Sequence, residues 1–329
     1  MRYYTIQILD STNGNVVKQF SSIDPFSGST LPGALNIELD IPIYTYDAPA
    51  GYAYVRVWGI ALTDIGQSSN FNGKTVRIFA GMAKGLPLAN PAQAGLIAQG
   101  KIFQAFGNWQ GVNQTLDFVF YADTGSADAP QNLVTNWTAG MLLSTAISNT
   151  LQTAFPTYKQ SINISSNLVL SHDEPGVYQS LGQFASHINT ISRSIVGGSY
   201  SGVRMLIRDN TFLVYDGTTP TTPKPIVFTD IIGQPVWKDL ATIGIYCVLR
   251  SDIQVGDYIS LPQSQVTTTA QSYSAFRNSL VFQGSFLVTR VRHVGNFRDP
   301  DAASWVTVID ATSVQTDGSS QNSAGASAQ

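Results

Sequence analysis

His172, Asp173 and Glu174 stand side by side in the stretch SHDEP, the one compact cluster of titratable side chains in the chain. An imidazole beside two carboxylates could work as an acid/base pair. Two acidic residues just ahead of Pro175 would equally suit a helix N-terminus, where they meet the positive end of the dipole. The remaining histidines, His187 and His293, form no H-x-x-x-H or C-x-x-C spacing with anything, so no metal site is expected. His187 falls within a helical pattern and reads as a core or boundary residue. Cys247 is the single cysteine and lies in an apolar run, where a buried, inert thiol is expected rather than a nucleophile. The stretch GGSYSG (197–202) approaches the nucleophile elbow G-x-S-x-G, but Tyr200 occupies the turn position that the serine would need, and a flexible loop is the better reading. No phosphate-cradling or dinucleotide-binding glycine pattern occurs. Sequons at Asn113, Asn136 and Asn163 are expected by chance in a chain this rich in Asn, Ser and Thr. No catalytic, cofactor-binding or metal-ligating residue is assigned, although a pair of carboxylates facing each other across a cleft stays open.

The elements that would have to position any such group are mostly strands. The chain is 329 residues long, enough for two or three domains, and only 12% of it is charged. A polar but weakly charged surface suits contact with neighbouring proteins. The net charge of −3 argues against a nucleic-acid binder, which needs a basic stripe. Glutamate occurs only at Glu38 and Glu174, so long exposed amphipathic helices are not expected. No signal peptide is visible at MRYYTIQILD, and no apolar run is long enough to span a membrane.

Residues 1–126 alternate or run apolar as strands: YYTIQIL, ALNIELDIPI, YAYVRVWGIAL, KTVRIFAGM, LIAQGKIFQAF and QTLDFVFYA. Pro42 marks an edge strand or a break, and the loop 85–95 is expected at the surface and mobile. Residues 127–225 read as a mixed α/β domain. Helices are expected over 131–155, with Pro130 at the start and Pro156 as the stop, and over 177–195. A strand is expected within 162–170. A hairpin follows over 203–217 with Asp209-Asn210 at its turn, then a proline-rich linker over 218–225. Residues 226–313 return to strands, PIVFTDIIG, TIGIYCVLR, DYISL, NSLVFQGSFLVTRVRHV and SWVTVIDAT. The low-complexity stretch 314–329 has nothing of its own to fold around and is expected to be held by a neighbouring chain. The fold class is therefore mainly β with an α/β insert (α+β): two similar β-barrel-like domains flanking a mixed helix/hairpin domain.

The two β regions share a phrase. NGKTVRIF (72–79) and VGDYISL (255–261) each set a turn glycine before a strand, and each is followed by a QG pair before the next strand. Gly73 precedes Gly100 by 27 residues and Gly256 precedes Gly284 by 28. These four are taken as the turn glycines of a repeat, and 50–122 is expected to share its strand order with 240–312.

The order of β domain, mixed insert and β domain resembles the baseplate (tail) hub proteins of contractile-tailed bacteriophages. The nearest local match is IIGQPVWKDLATIGIYCVLRSDIQVGDYISLP (231–262), where Gly233, Pro235, Cys247–Arg250, Gly256, Asp257, Ile259 and Leu261 fall in the places of the family's pattern. The hairpin RMLIRDNTFLVYDG also resembles the family's middle domain, with Asp209-Asn210 where that turn usually carries Gly. The resemblance implies a non-catalytic homotrimer in the virion tail tip. It would join a six-fold tail tube to a three-fold central spike, with tape-measure and neighbouring baseplate proteins as further contacts. Val76, Ile78, Tyr258 and Ile259 are the residues expected at the ring interface, and no cofactor is implied. A distal tail protein, a tube adaptor or a β-rich hydrolase are the alternatives.

Overall fold

A computed structural model describes residues 1–45, 52–82, 90–121, 132–197, 200–208, 211–218, 222–239, 242–262 and 284–313. The first β unit comprises β1 (Arg2–Leu9), β2 (Val16–Ser21), β3 (Ile37–Ile43), β4 (Tyr52–Trp58), the short helix α1 (Leu62–Gly66), β5 (Thr75–Met82), β6 (Gly95–Gln110) and β7 (Asn113–Tyr121). Alternate residues of these strands point inward, as period-two patterning requires. Tyr4, Ile6, Ile8, Ile37, Ile41, Val55, Val76, Ile78, Phe118 and Phe120 form one core.

The mixed unit follows, with β8 (Leu133–Trp137), α2 (Leu143–Ala154), β9 (Lys159–Asn163), β10 (Glu174–Tyr178), α3 (Leu181–Val196), β11 (Arg204–Arg208) and β12 (Thr211–Tyr215). It has its own core around Trp137, Leu151, Phe184 and Phe212. The helix expected over 131–155 is a strand and then a shorter helix. Leu133, Thr135 and Trp137 are buried while Val134 and Asn136 are exposed, a period of two, and Gly140 at φ 80° turns the chain before α2. The second helix also starts later than expected, because Glu174–Tyr178 pairs with β8 as a strand. Its true start carries a signal that the apolar spacing hid. The Ser180 hydroxyl accepts from the Gln183 N–H, and the Gln183 side chain accepts from the Gln179 N–H, a reciprocal cap. The strand expected within 162–170 lies earlier, at Lys159–Asn163, and pairs parallel with β12. The turn expected at 209–210 lies outside the described residues; the strands on either side of it pair antiparallel up to Arg208 and Thr211.

The second β unit contains β13 (Lys224–Pro225), β14 (Val236–Trp237), β15 (Thr242–Val248), β16 (Tyr258–Ser260), β17 (Ser285–Asn296) and β18 (Trp305–Ser313) around Ile243, Ile245, Cys247, Ile259, Val288 and Ile309. The end of the supposed linker is the strand β13, parallel to β16, and PIVFTDIIG contains a 3-10 turn at Phe228–Asp230 rather than a strand. The stretch 314–329 lies outside the described residues.

The two β units are fused through a shared ladder. In β3, residues Glu38–Ile43 pair antiparallel with Val291–Asn296 of β17, so one sheet runs β14-β15-β18-β17-β3-β4-β7-β6-β5-β1-β2. Pro42 is therefore inside the sheet, not at an edge. It sits opposite Arg292, and the ladder tolerates it because alternate residues turn their N–H groups away from β17. Trp305 of the second unit is buried against the first, donating its indole N–H to the Gly81 carbonyl at 3.0 Å. The end of the loop 85–95 is pinned rather than mobile. Gln93 is buried, donates to Asp230 at 2.9 Å, and its carbonyl accepts from the Ser251 N–H at 2.7 Å. Arg250, buried too, meets Asp230 at 2.8 Å and Asp252 at 2.7 Å.

His293 lies in the middle of the β3–β17 ladder, paired with Ile41 and 2.9 Å from the Thr307 hydroxyl. Complete burial lowers its pKa from 6.5 to about 4. An unfolded chain takes up this proton as pH falls below 6.5, whereas the folded chain resists it until about 4. Stability is therefore fully present above the unfolded pKa and is lost as pH falls through this window, by on the order of 3 kcal/mol. Chemical denaturation at pH 7 and pH 4 will show this loss, and His293→Asn will flatten the dependence.

Candidate assembly interface

The two β units match in hydrogen bonding as well as order. Both contain the antiparallel sequence of neighbours β4-β7-β6-β5 and β15-β18-β17-β16. In the first unit the Gly73 N–H donates to Ile102 and the Ile102 N–H donates to Lys74, both at 2.8 Å. In the second the Gly256 N–H donates to Val288 at 2.9 Å and the Val288 N–H donates to Asp257 at 2.8 Å. The ladder then slips one residue further along in each, past Phe103 and past Thr289, a bulge at the same point of the third strand. This register equates Gly73 with Gly256, Ile102 with Val288, Ala105 with Val291, Phe118 with Ile309 and Val55 with Ile245.

The QG pairs are not equivalent in this register. Gly100 falls two residues before Ile102, whereas Gly284 falls four before Val288. Their physical reasons differ as well. A Cβ on Gly100 would meet the Tyr121 carbonyl oxygen at 1.9 Å, so only glycine lets β6 cross there. Gly284 has open space around it but takes φ 97°.

Nor do Val76, Ile78, Tyr258 and Ile259 face a neighbour. All four side chains are buried in the chain's own cores, and β5 and β16 are each paired on both sides. Among the described residues β14 comes last in the sheet order, with Val236 61% exposed, and no strand pairs with β6 over 104–110 on the side away from β7.

The outward face of the fused sheet is a field of matched charges. Arg292 holds Asp40 through two hydrogen bonds of 2.6 and 2.5 Å, and Lys238 reaches Asp310 at 2.5 Å. Arg290 donates to the Tyr44 hydroxyl at 2.9 Å. Asp117 is fully buried and accepts from Arg56 at 2.6 Å, Asn108 at 2.9 Å, Thr115 at 3.1 Å and the Tyr54 hydroxyl. The Arg56 guanidinium covers it, lying over the rings of Tyr54 and Trp58. The Tyr54 phenol is held in its protonated form, first by burial and then by the hydrogen bond it donates to Asp117. Sequence reasoning passed over Asp117 as one residue of an apolar strand. Its signal was a lone carboxylate in QTLDFVFY two residues from Thr115 on the outward side.

At one end of this face the units diverge. Tyr52, Phe103 and Tyr121 gather with ring centroids 4.9–6.5 Å apart. The register equates them with Thr242, Thr289 and Thr312.

Of the residues that might do chemistry, the structure joins three. The Glu174 carboxylate lies 3.6 Å from the ring nitrogens of both His172 and His187. Asp173 points away and accepts the Ala139 N–H at 2.7 Å. His172 is exposed and Glu174 half-buried where β10 begins, not at a helix N-terminus. Among the described residues no group of three or more His, Cys, Asp and Glu is placed to hold a metal. Burial pushes the Cys247 thiol up to about 12, which keeps it protonated and unreactive. Tyr200 is anchored by a 2.8 Å hydrogen bond to Asp216, so the described part of GGSYSG is tied down.

Two solved structures share this fold along nearly the whole chain. One is the 43 kDa tail protein of prophage MuSo2 from Shewanella oneidensis, with a TM-score of 0.53 and 7% identity, covering 95% of this chain and 97% of that one. The other is the tail protein from Neisseria meningitidis MC58, with a TM-score of 0.51 and 10% identity, covering 94% and 96%. No protein-family model matches the sequence, and no curated protein does. The chain thus has the fold of phage tail proteins, at an identity where the fold alone is shared.

Asp117→Ala will leave Arg56 and Tyr54 without their shared partner and lower unfolding stability by about 3–5 kcal/mol. Urea denaturation read by tryptophan fluorescence checks this.

Proposed function

We propose that this chain is a structural tail hub of a phage virion, a homotrimer that adapts a six-fold tail tube to a three-fold central spike. In that role it would serve tail assembly and genome delivery, with tape-measure and neighbouring baseplate proteins as further contacts. The observation that carries the reading is the register match between the two β units. Three copies of a chain built from two like units offer six like faces, the direct route from three-fold to near six-fold symmetry. The shared fold of the two tail proteins supports the setting.

The divergence between the units supports the adaptor role. An aromatic set on one unit and threonines on the other would mark alternate faces, leaving a three-fold pattern at one end of a six-unit ring. Aromatic side chains are the residue type that anchors protein contacts. The sheet face needs no catalytic group for this role, and its paired charges present little net charge to a passing polyanion.

Native mass spectrometry of the purified chain is expected to read three times its 35.4 kDa mass, and a stable monomer contradicts the hub. Replacing Tyr52, Phe103 and Tyr121 together by threonine is expected to leave the trimer intact. The same change is expected to abolish co-purification with the spike protein of the same virion. Unchanged spike binding contradicts the adaptor assignment of this patch.

A further inference from the structure

Asn-Gly occurs twice in the chain, at 13–14 and at 72–73. In this dipeptide the main-chain nitrogen after the asparagine can attack the side-chain amide, because glycine sets no Cβ beside it. Both asparagines are exposed. Both also use the amide oxygen in the same way. Asn13 Oδ1 accepts the Asn15 N–H at 2.9 Å, and Asn72 Oδ1 accepts the Ala105 N–H at 2.6 Å. An N–H held at that oxygen steadies the charge that builds on it during attack. Neither exposure nor the side chain therefore separates the two positions.

The attacking nitrogen separates them. The Gly73 N–H belongs to the reciprocal pair of bonds with Ile102, and the Gly73 carbonyl accepts from the Ser11 hydroxyl at 2.6 Å. Ile102 is buried in the core of the first unit, so freeing that nitrogen means peeling β6 from the start of β5. Gly14 stands instead in the loop Asp10–Asn15 between β1 and β2, where every residue but Asp10 is exposed. Its N–H donates to the Asp10 carbonyl at 2.9 Å, and the Asp10 N–H donates to the Asn15 carbonyl at 2.8 Å. Asp10 and Ser11 tie the start of the loop to Lys74 and Gly73, ahead of the turn at Asn13-Gly14. No buried apolar side chain has to move for that turn to open, and such tips open at small local cost.

We propose that Asn13 is a site of spontaneous covalent modification in the folded protein, and that the fold protects Asn72 from the same reaction. The Gly14 nitrogen forms a bond to Asn13 Cγ and gives up its proton. The side-chain nitrogen leaves as ammonia, which closes a succinimide ring. Water, the only co-reactant, then adds to either ring carbonyl and leaves aspartate or isoaspartate at position 13. Each product adds a negative charge to a loop that already holds Asp10. Isoaspartate also lengthens the main chain of the turn by one carbon, so the bond from the Asn15 N–H is lost.

The test is incubation of the full chain in mildly alkaline buffer, followed by peptide mapping with mass spectrometry and chromatographic separation of isoaspartate. Position 13 is expected to convert at least ~10-fold faster than position 72. Both aspartate and isoaspartate are expected there, at a rate that rises with pH as the Gly14 nitrogen gives up its proton more readily. In denaturing urea the two positions are expected to convert within about threefold of each other, since both then lie in open chain. Equal rates in the folded chain, or an unchanged Asn13, overturn the assignment. Aspartate alone at position 13 overturns the succinimide route. A difference that persists in urea belongs to the local sequence and overturns the protection of Asn72 by the fold.

Discussion

The ladder between β3 and β17 is the constraint on which the rest of the molecule depends. Strands far apart in sequence, 37–43 and 285–296, complete each other's hydrogen bonds and turn two β units into one sheet. An unpaired strand edge is a hazard for any β protein, and here one unit's edge is covered by the other's leading strand. Trp305 and Gln93 then tie the units together with buried contacts that cross the junction, and Arg250 holds the Asp230 that Gln93 meets. The mixed unit, with a core of its own, is inserted between these units without interrupting the ladder.

Much of this was legible in the sequence because period-two patterning survives in single strands. YYTIQIL, YAYVRVW and QTLDFVFY each became a strand where expected, as did four of the five stretches of the second β region in their described parts. Patterning failed where two explanations share a period or a residue type. Val134 and Trp137 fit a helical stripe that continues into α2, yet they belong to a strand turned by Gly140. Val76, Ile78, Tyr258 and Ile259 could as well be core as interface, since an apolar residue on a strand looks alike in either place; the structure makes them core.

The repeat shows the same lesson more sharply. The QG pairs that first aligned the halves are two residues out of step, one needed for close backbone approach and the other for a positive φ. What the halves share is a pair of reciprocal hydrogen bonds and a bulge, which no residue type announces. Asp117 was equally silent, since its meaning comes from Tyr54 and Arg56 on β4 and Asn108 on β6, the strands on either side of its own.

The proposal that three copies of the chain set their two like β units alternately around one axis is tested most directly by a reconstruction of the assembled protein by electron cryomicroscopy without imposed symmetry. Six similar lobes of alternating identity around a central opening are predicted. A single two-lobed body, or three separate bodies, would contradict it.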